Sequence, residues 1–201
     1  MPSPVGHILA GAAVHLAGTR NGTRSKLVFV LTLLASIAPD LDFLPGLLIG
    51  QMGAFHHGIS HSFTFAVLIG FCIFYVVERV QKDIAGRAAV LASLSYASHV
   101  VLDFLGVNEG TRGVPLLWPV SGQKFGLSLH LFGYFQYSDR GIWSVIRWNN
   151  VSAILRELLV VGVPLLFLVW GRRHSLKAVP EESRKAGHRA DDATEVEMNP
   201  L

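Results

Sequence analysis

Residues 88–107 read AAVLASLSYASHVVLDFLGV, a run with no Lys, Arg or Glu and with Asp103 as its single acid. An α-helix of that length rises about 30 Å, the thickness of the hydrocarbon core of a bilayer, so the run reads as a membrane span. One feature separates it from an ordinary span. His99 and Asp103 form H-x-x-x-D, which on a helix puts both on one face with Cβ atoms roughly 5–6 Å apart, within reach of one metal ion. The bland reading is a buried His–Asp hydrogen bond. Ligation is favoured because ionisable groups in an apolar span are costly and mark function.

The rest of the chain is consistent with such a span. Of 201 residues, 51% are hydrophobic and 15% charged, whereas a soluble domain carries about 25% charged residues. Further apolar runs cover residues 5–18, 27–38 (resuming at 43–50), 63–77 and 151–170. The expected fold is therefore all-α: a multi-span helical membrane protein with about four to five membrane helices. Residues 108–150 hold Trp118, Phe125, Phe132, Tyr134, Phe135, Tyr137, Trp143 and Trp148. Aromatics favour the headgroup layer, so this stretch reads as an interfacial loop, with an ordinary extramembrane loop as the alternative. Residues 1–170 then form the membrane-embedded domain, and residues 171–201 a polar, disordered cytoplasmic tail.

Composition also excludes some classes. Met1-Pro2-Ser3-Pro4 lacks the basic start of a cleavable signal. The formal charge of +3 is modest and forms no Lys/Arg stripe, so no nucleic-acid partner is expected. Cys72, the single cysteine, lies in an apolar run and reads as packing.

Orientation follows from the basic residues. Arg20, Arg24, Lys26, Arg79, Lys82, Arg87, Arg172, Arg173 and Lys177 flank one set of span ends, against Arg112, Lys124, Arg140 and Arg147 on the other. The positive-inside rule places the first set in the cytoplasm of a cell (inner) membrane protein. Asp40 then lies fourteen residues beyond Lys26 and Asp103 sixteen beyond Arg87, roughly 21 and 24 Å up their helices and near the outer ends. The connection F-H-H-G-I-S-H-S at residues 55–62 falls on the same extracytoplasmic side, as does His7 if residues 5–18 span or re-enter. Every polar residue that is out of place in an apolar setting thus converges on one membrane depth.

The candidate ligands are His7, Asp40, Asp42, His56, His61, His99 and Asp103. Pro39 is expected to unwind the chain locally, so that Asp40 and Asp42, two apart, share a side in an extended turn. His56 and His61 converge if Gly58 turns the chain and His61 opens the next helix behind an N-cap at Ser60; His57 can replace either. His15, His130, His174 and His188 read as structural or solvated. Imidazoles mixed with carboxylates suit Zn²⁺ first, with Mn²⁺ or Fe²⁺ as alternatives, and the pool is large enough for one or two ions. A divalent ion with an open position brings the pKa of a bound water towards about 7, which suits hydrolysis. Asp40 and Asp42 are the candidate catalytic residues, Asp42 as an orienting base.

These motifs resemble the YdjM-type family of bacterial and archaeal membrane-bound proteins regarded as metal-dependent hydrolases. The matching pieces are Gly6-His7-Ile8-Leu9, Pro39-Asp40-Leu41-Asp42, His56-His57-Gly58-Ile59-Ser60-His61-Ser62, Ser98-His99-Val100-Val101-Leu102-Asp103 and Gly113-Val114-Pro115-Leu116-Leu117-Trp118-Pro119. The family pattern has Arg at the position of His57 and Thr at that of Ser60. The family is in turn distantly similar to zinc-dependent phospholipase C and the single-strand nucleases. That resemblance implies phosphoester hydrolysis, with membrane lipids as partners and a lipid headgroup as a convenient substrate. A metal or proton transporter and a non-catalytic protein with a structural metal site are the alternatives. A transporter needs polar stepping stones towards the cytoplasm, and residues 63–77 and, beyond Arg156 and Glu157, 151–170 offer none.

Overall fold

The computed structural model describes residues 2–19, 25–51, 55–106, 113–127, 129, 132–133 and 148–177. The tail beyond residue 177 and most of the aromatic stretch, with Tyr134, Phe135, Tyr137 and Trp143, lie outside these, as do Arg20, Arg24, His130 and His188. The described residues up to Leu165 form one compact unit, and those from Leu166 onward belong to a second.

The helices are α1 (Pro4–Gly18), α2 (Lys26–Ile37), α3 (Phe43–Leu48), α4 (Phe63–Val80), α5 (Lys82–Leu105), α6 (Trp148–Glu157) and α7 (Val163–Lys177). A tight 3₁₀ turn, Ala38–Asp42, joins α2 to α3, and a π-helical turn, Leu158–Gly162, joins α6 to α7. Among the described residues, four apolar helical stretches are long enough to cross a membrane: Lys26–Gly46, Phe63–Val80, Lys82–Leu105 and Trp148–Arg172; Pro4–Gly18 is shorter. Among the described residues the fold is all-helical, apart from isolated bridge positions at Gly106 and between Val114 and Phe125.

Serine hydroxyls start three of these helices. Ser3, Ser25 and Ser62 accept hydrogen bonds from the backbone N–H of Val5, Val28 and Phe65, using donors that a first helical turn leaves unpaired. The cap of α4 therefore lies at Ser62, two residues beyond the expected Ser60, whose hydroxyl is engaged elsewhere. The charged stretch at residues 78–87, between two of the apolar runs, is almost entirely helical, with Gln81 alone between α4 and α5.

α5 packs against α4, α2 and α1. Its buried stripe runs Ala85, Ala88, Ala92, Tyr96, His99, Asp103 at helical spacing, so one face that is apolar at the Lys82 end becomes polar at the other. Small residues let the helices close up. A Cβ on Gly11 of α1 would lie 2.7 Å from the Ser36 Cβ of α2. One on Gly70 of α4 would lie 1.9 Å from the Ser93 hydroxyl of α5. Such approaches suit lipid, where packing and hydrogen bonding rather than hydrophobicity join helices. Ser95 accordingly donates to the Thr32 carbonyl at 2.7 Å, while large apolar residues such as Val90, Leu94, Val67 and Phe71 face outward.

Candidate metal centre

At the polar end of the α5 stripe, His99 donates from Nδ1 to the Ser36 carbonyl at 2.7 Å. Its Nε2 is thereby left as an acceptor facing inward. His61, in the connection before α4, is fixed in the same sense: its Nδ1 lies 3.1 Å from the Ser60 hydroxyl and 3.1 Å from Asp42 Oδ2. The two Nε2 atoms approach to 3.4 Å. Asp103 Oδ2 lies 3.1 Å from His99 Nε2 and 3.2 Å from His61 Nε2. Asp40 Oδ1 completes the group at 3.5 and 3.7 Å from the same nitrogens.

These distances test whether a metal fits. Bonds of about 2.0–2.1 Å in a tetrahedral shell place donor atoms roughly 3.4 Å apart. The five separations above run from 3.1 to 3.7 Å, and all four donor atoms lie within 4.8 Å of one another. Both carboxylate oxygens of Asp103 are buried and, among the described residues, receive no hydrogen bond. Two lone pairs and two carboxylates turned towards one point, with no donor for Asp103, form an arrangement that a divalent cation satisfies.

Asp40 and Asp42 reach this centre from the 3₁₀ turn. Pro39 removes a backbone donor as expected, but the chain tightens into i→i+3 geometry rather than extending. The two carboxylates therefore do not share a side. They sit at opposite edges of the His61 ring, Asp40 towards Nε2 and Asp42 towards Nδ1. Asp42 also takes the Gly58 N–H at 3.2 Å and the Ser60 hydroxyl at 3.0 Å, and lies 3.0 Å from His56 Nδ1. Asp42, His56 and His61 form a second group with metal-ligand spacing.

His7 and His57 flank Asp103. The His7 ring stacks on His99 with centroids 3.6 Å apart, and its Nε2 lies 3.6 Å from Asp103 Oδ1. Its position depends on Glu157, a fully buried acid of α6. Glu157 accepts the Ser3 N–H at 2.5 Å, the Ser3 hydroxyl and the Gly6 N–H at 3.1 Å, which pins the first turn of α1. His57 adopts φ 59°, the left-handed region that glycine usually fills, and this places its Nε2 3.7 Å from Asp103 Oδ2. The turn was expected at Gly58, with His57 only as a replacement for His56 or His61. Gly58 has another use: a Cβ there would lie 2.9 Å from the Phe55 carbonyl. The support from Glu157, from the Ser36 carbonyl and from Tyr96, whose hydroxyl donates to the Ser60 carbonyl at 2.8 Å, was not foreseen either. The one available signal was Glu157, an acid inside an apolar run.

The electrostatics are lopsided. Burial opposes a charge on His61, yet the neighbouring carboxylates of Asp103, Asp40 and Asp42 raise its pKa well above the ordinary value. Asp40, Asp42 and His56 retain 18%, 11% and 22% side-chain exposure, whereas His61, His99 and Asp103 retain none. The accessible side is therefore that of the two aspartates and His56. There a cleft of about 440 Å³ opens, lined by Asp42, His56, His57 and Ser60 together with apolar residues.

The comparisons agree with this architecture. A protein of Escherichia coli (strain K12), described as inner membrane protein YbcI, is 26% identical over 182 residues, covering 86% of this chain and 99% of that protein. No solved structure matches. The family described as YdjM inner membrane protein matches residues 1–175. With that match spanning every described helix but the last two residues of α7, the chain belongs to the YdjM inner membrane protein family.

Proposed function

We propose that this protein is a membrane-embedded, metal-dependent hydrolase of phosphoesters, working at the extracytoplasmic face. The observation that carries the reading is the set of five donor separations, 3.1–3.7 Å, around the buried and hydrogen-bond-free Asp103. Asp40, His61, His99 and Asp103 would hold the ion, with Zn²⁺ the first candidate for this donor set and Mn²⁺ or Fe²⁺ next. When bound, such an ion supplies Lewis-acid activation of water and of a phosphoryl oxygen at neutral pH.

The protein's own groups do the rest. Ser36 and Asp42 hold the two imidazoles in one tautomer. His56 lines the cleft with its Nδ1 against Asp42 Oδ1 at 3.0 Å, the arrangement of an imidazole positioned by a carboxylate to move a proton. Asp42 is thus an orienting base shared by His61 and His56. Asp40, the more exposed carboxylate of the ligand group, borders the side from which substrate and water enter. The extracytoplasmic placement rests on the basic residues at the opposite helix ends.

Purified, metal-loaded protein screened against phosphomonoester, phosphodiester and phospholipid substrates tests this. Turnover that is abolished in Asp40→Ala and in His56→Ala supports it. A structural metal tie is the second reading, favoured because four protein donors can close a shell. Stoichiometric metal with no turnover of any of the three substrate classes would select it.

A further inference from the structure

The cleft beside the centre has two unlike walls. Asp42, His56 and Lys124 make one polar; Pro45, Phe55 and Ile59 make the other apolar. Phe55 and Ile59 remain 49% and 47% exposed, and Leu48 at the end of α3 and Ile49 just beyond it are 87% and 58% exposed. A water-soluble phosphoester has no use for such a wall, whereas an amphiphile does, because its chain can leave across it while its headgroup stays at the polar side.

Lys124 is not a casual surface lysine. Its segment is tied down on both sides. Val114 and Phe125 exchange backbone hydrogen bonds at 2.8 and 2.9 Å, and the Leu127 N–H reaches the Phe104 carbonyl at the end of α5 at 2.7 Å. The Leu116 carbonyl takes the Phe63 N–H at 3.1 Å, and the Trp118 carbonyl takes the Thr64 hydroxyl at 2.5 Å. The first turn of α4 thereby fixes the segment across the cleft. Lys124 Nζ then donates to the His57 carbonyl at 2.8 Å. The left-handed turn at His57 thus has two consequences: the ring faces Asp103 and the carbonyl holds a permanent cation at the cleft mouth.

We infer that this cleft is the headgroup subsite for a phosphate-bearing membrane amphiphile, with Lys124 recognising the phosphate and Phe55 and Ile59 guiding the chain into the bilayer. The inference rests on the hydrolase reading for its chemistry and deepens it by naming the substrate class. Lysine suits the task as a compact charge with three donors on a flexible stem, able to follow a phosphate oxygen without a fixed fork.

Binding separates this inference from the reading it builds on. Metal-loaded protein in detergent is titrated with dioctanoyl phosphatidic acid and with glycerol 3-phosphate, following tryptophan fluorescence or heat. Dioctanoyl phosphatidic acid is expected to bind at least about tenfold more tightly than the chainless phosphate, since it alone buries apolar surface on the wall. Lys124→Met is expected to weaken it by about tenfold or more, with metal content unchanged, and Lys124→Arg to restore most of the loss. Lysine-dependent binding without turnover would keep the subsite and remove the hydrolase. Turnover with wild-type binding in Lys124→Met would keep the hydrolase and remove the subsite. Absence of dioctanoyl phosphatidic acid binding, or equal binding of glycerol 3-phosphate, also overturns it.

Discussion

Asp42 and His61 meet at 3.1 Å, carboxylate oxygen to Nδ1, on the edge of the imidazole that faces away from Asp103. This contact decides which nitrogen of His61 is available at the centre. Asp42 thus sets the ligand without occupying the inner group. Asp42→Asn should therefore leave the protein folded and able to bind metal, but with affinity lowered about 10–100-fold, the usual effect of losing an outer partner of a ligating histidine. Competition with a chromophoric chelator measures it. Unchanged affinity would assign Asp42 to the cleft alone.

The raised pKa of His61 gives a pH dependence of definite sign. A proton on His61 stabilises the metal-free protein fully below about pH 6.5, the ordinary imidazole value, and that contribution is lost as pH rises through the raised folded-state value. Metal binding expels the proton. Apparent affinity should therefore climb with pH, by up to about tenfold per unit while one proton is displaced. Titrations at pH 6, 7 and 8 would show it; an affinity flat over that range contradicts the protonated resting state.

Glu157 makes its contribution through α1. Glu157→Ala removes the acceptor for two backbone N–H groups and a hydroxyl, all buried. Unsatisfied buried donors make the expected loss about 3 kcal/mol in stability, with Glu157→Gln costing less because it keeps one acceptor oxygen. Thermal unfolding in detergent measures both. If Glu157→Ala melts at the wild-type temperature, α1 is held by packing alone.

Orientation can be read with single cysteines in a Cys72→Ser background. At Gly122 and Gly86 an added Cβ meets nothing within 4 Å, so both positions tolerate the change. An impermeant thiol reagent should label Gly122→Cys in intact cells and Gly86→Cys only after lysis. The reverse pattern would put the centre on the cytoplasmic side.

Much of the frame was legible because membrane helices follow a few strong rules. Length and apolarity located α2, α4 and α5, and the i, i+4 spacing of His99 and Asp103 put both on one face before any fold was known. What was not legible depends on main-chain geometry. Nothing in the letters of residues 55–62 says that His57, rather than Gly58, takes the left-handed conformation, because sterics alone favour glycine there and tertiary contacts overrode the preference. Asp40 and Asp42 were expected to turn one way; the 3₁₀ turn splits them across His61 because its residues lie about 120° apart around the axis. The Ser36 carbonyl, which orients His99, has no side-chain signature at all.

Four side chains, from α5, the 3₁₀ turn and the connection before α4, are placed to hold a divalent ion. Elemental analysis of protein purified from metal-replete cells tests it most directly, comparing wild type with the His99→Ala/Asp103→Ala double variant. About one to two transition-metal ions per chain are expected in the wild type, and a large loss in the folded double variant. Metal-free wild-type protein, or a double variant that keeps its metal, would contradict the account.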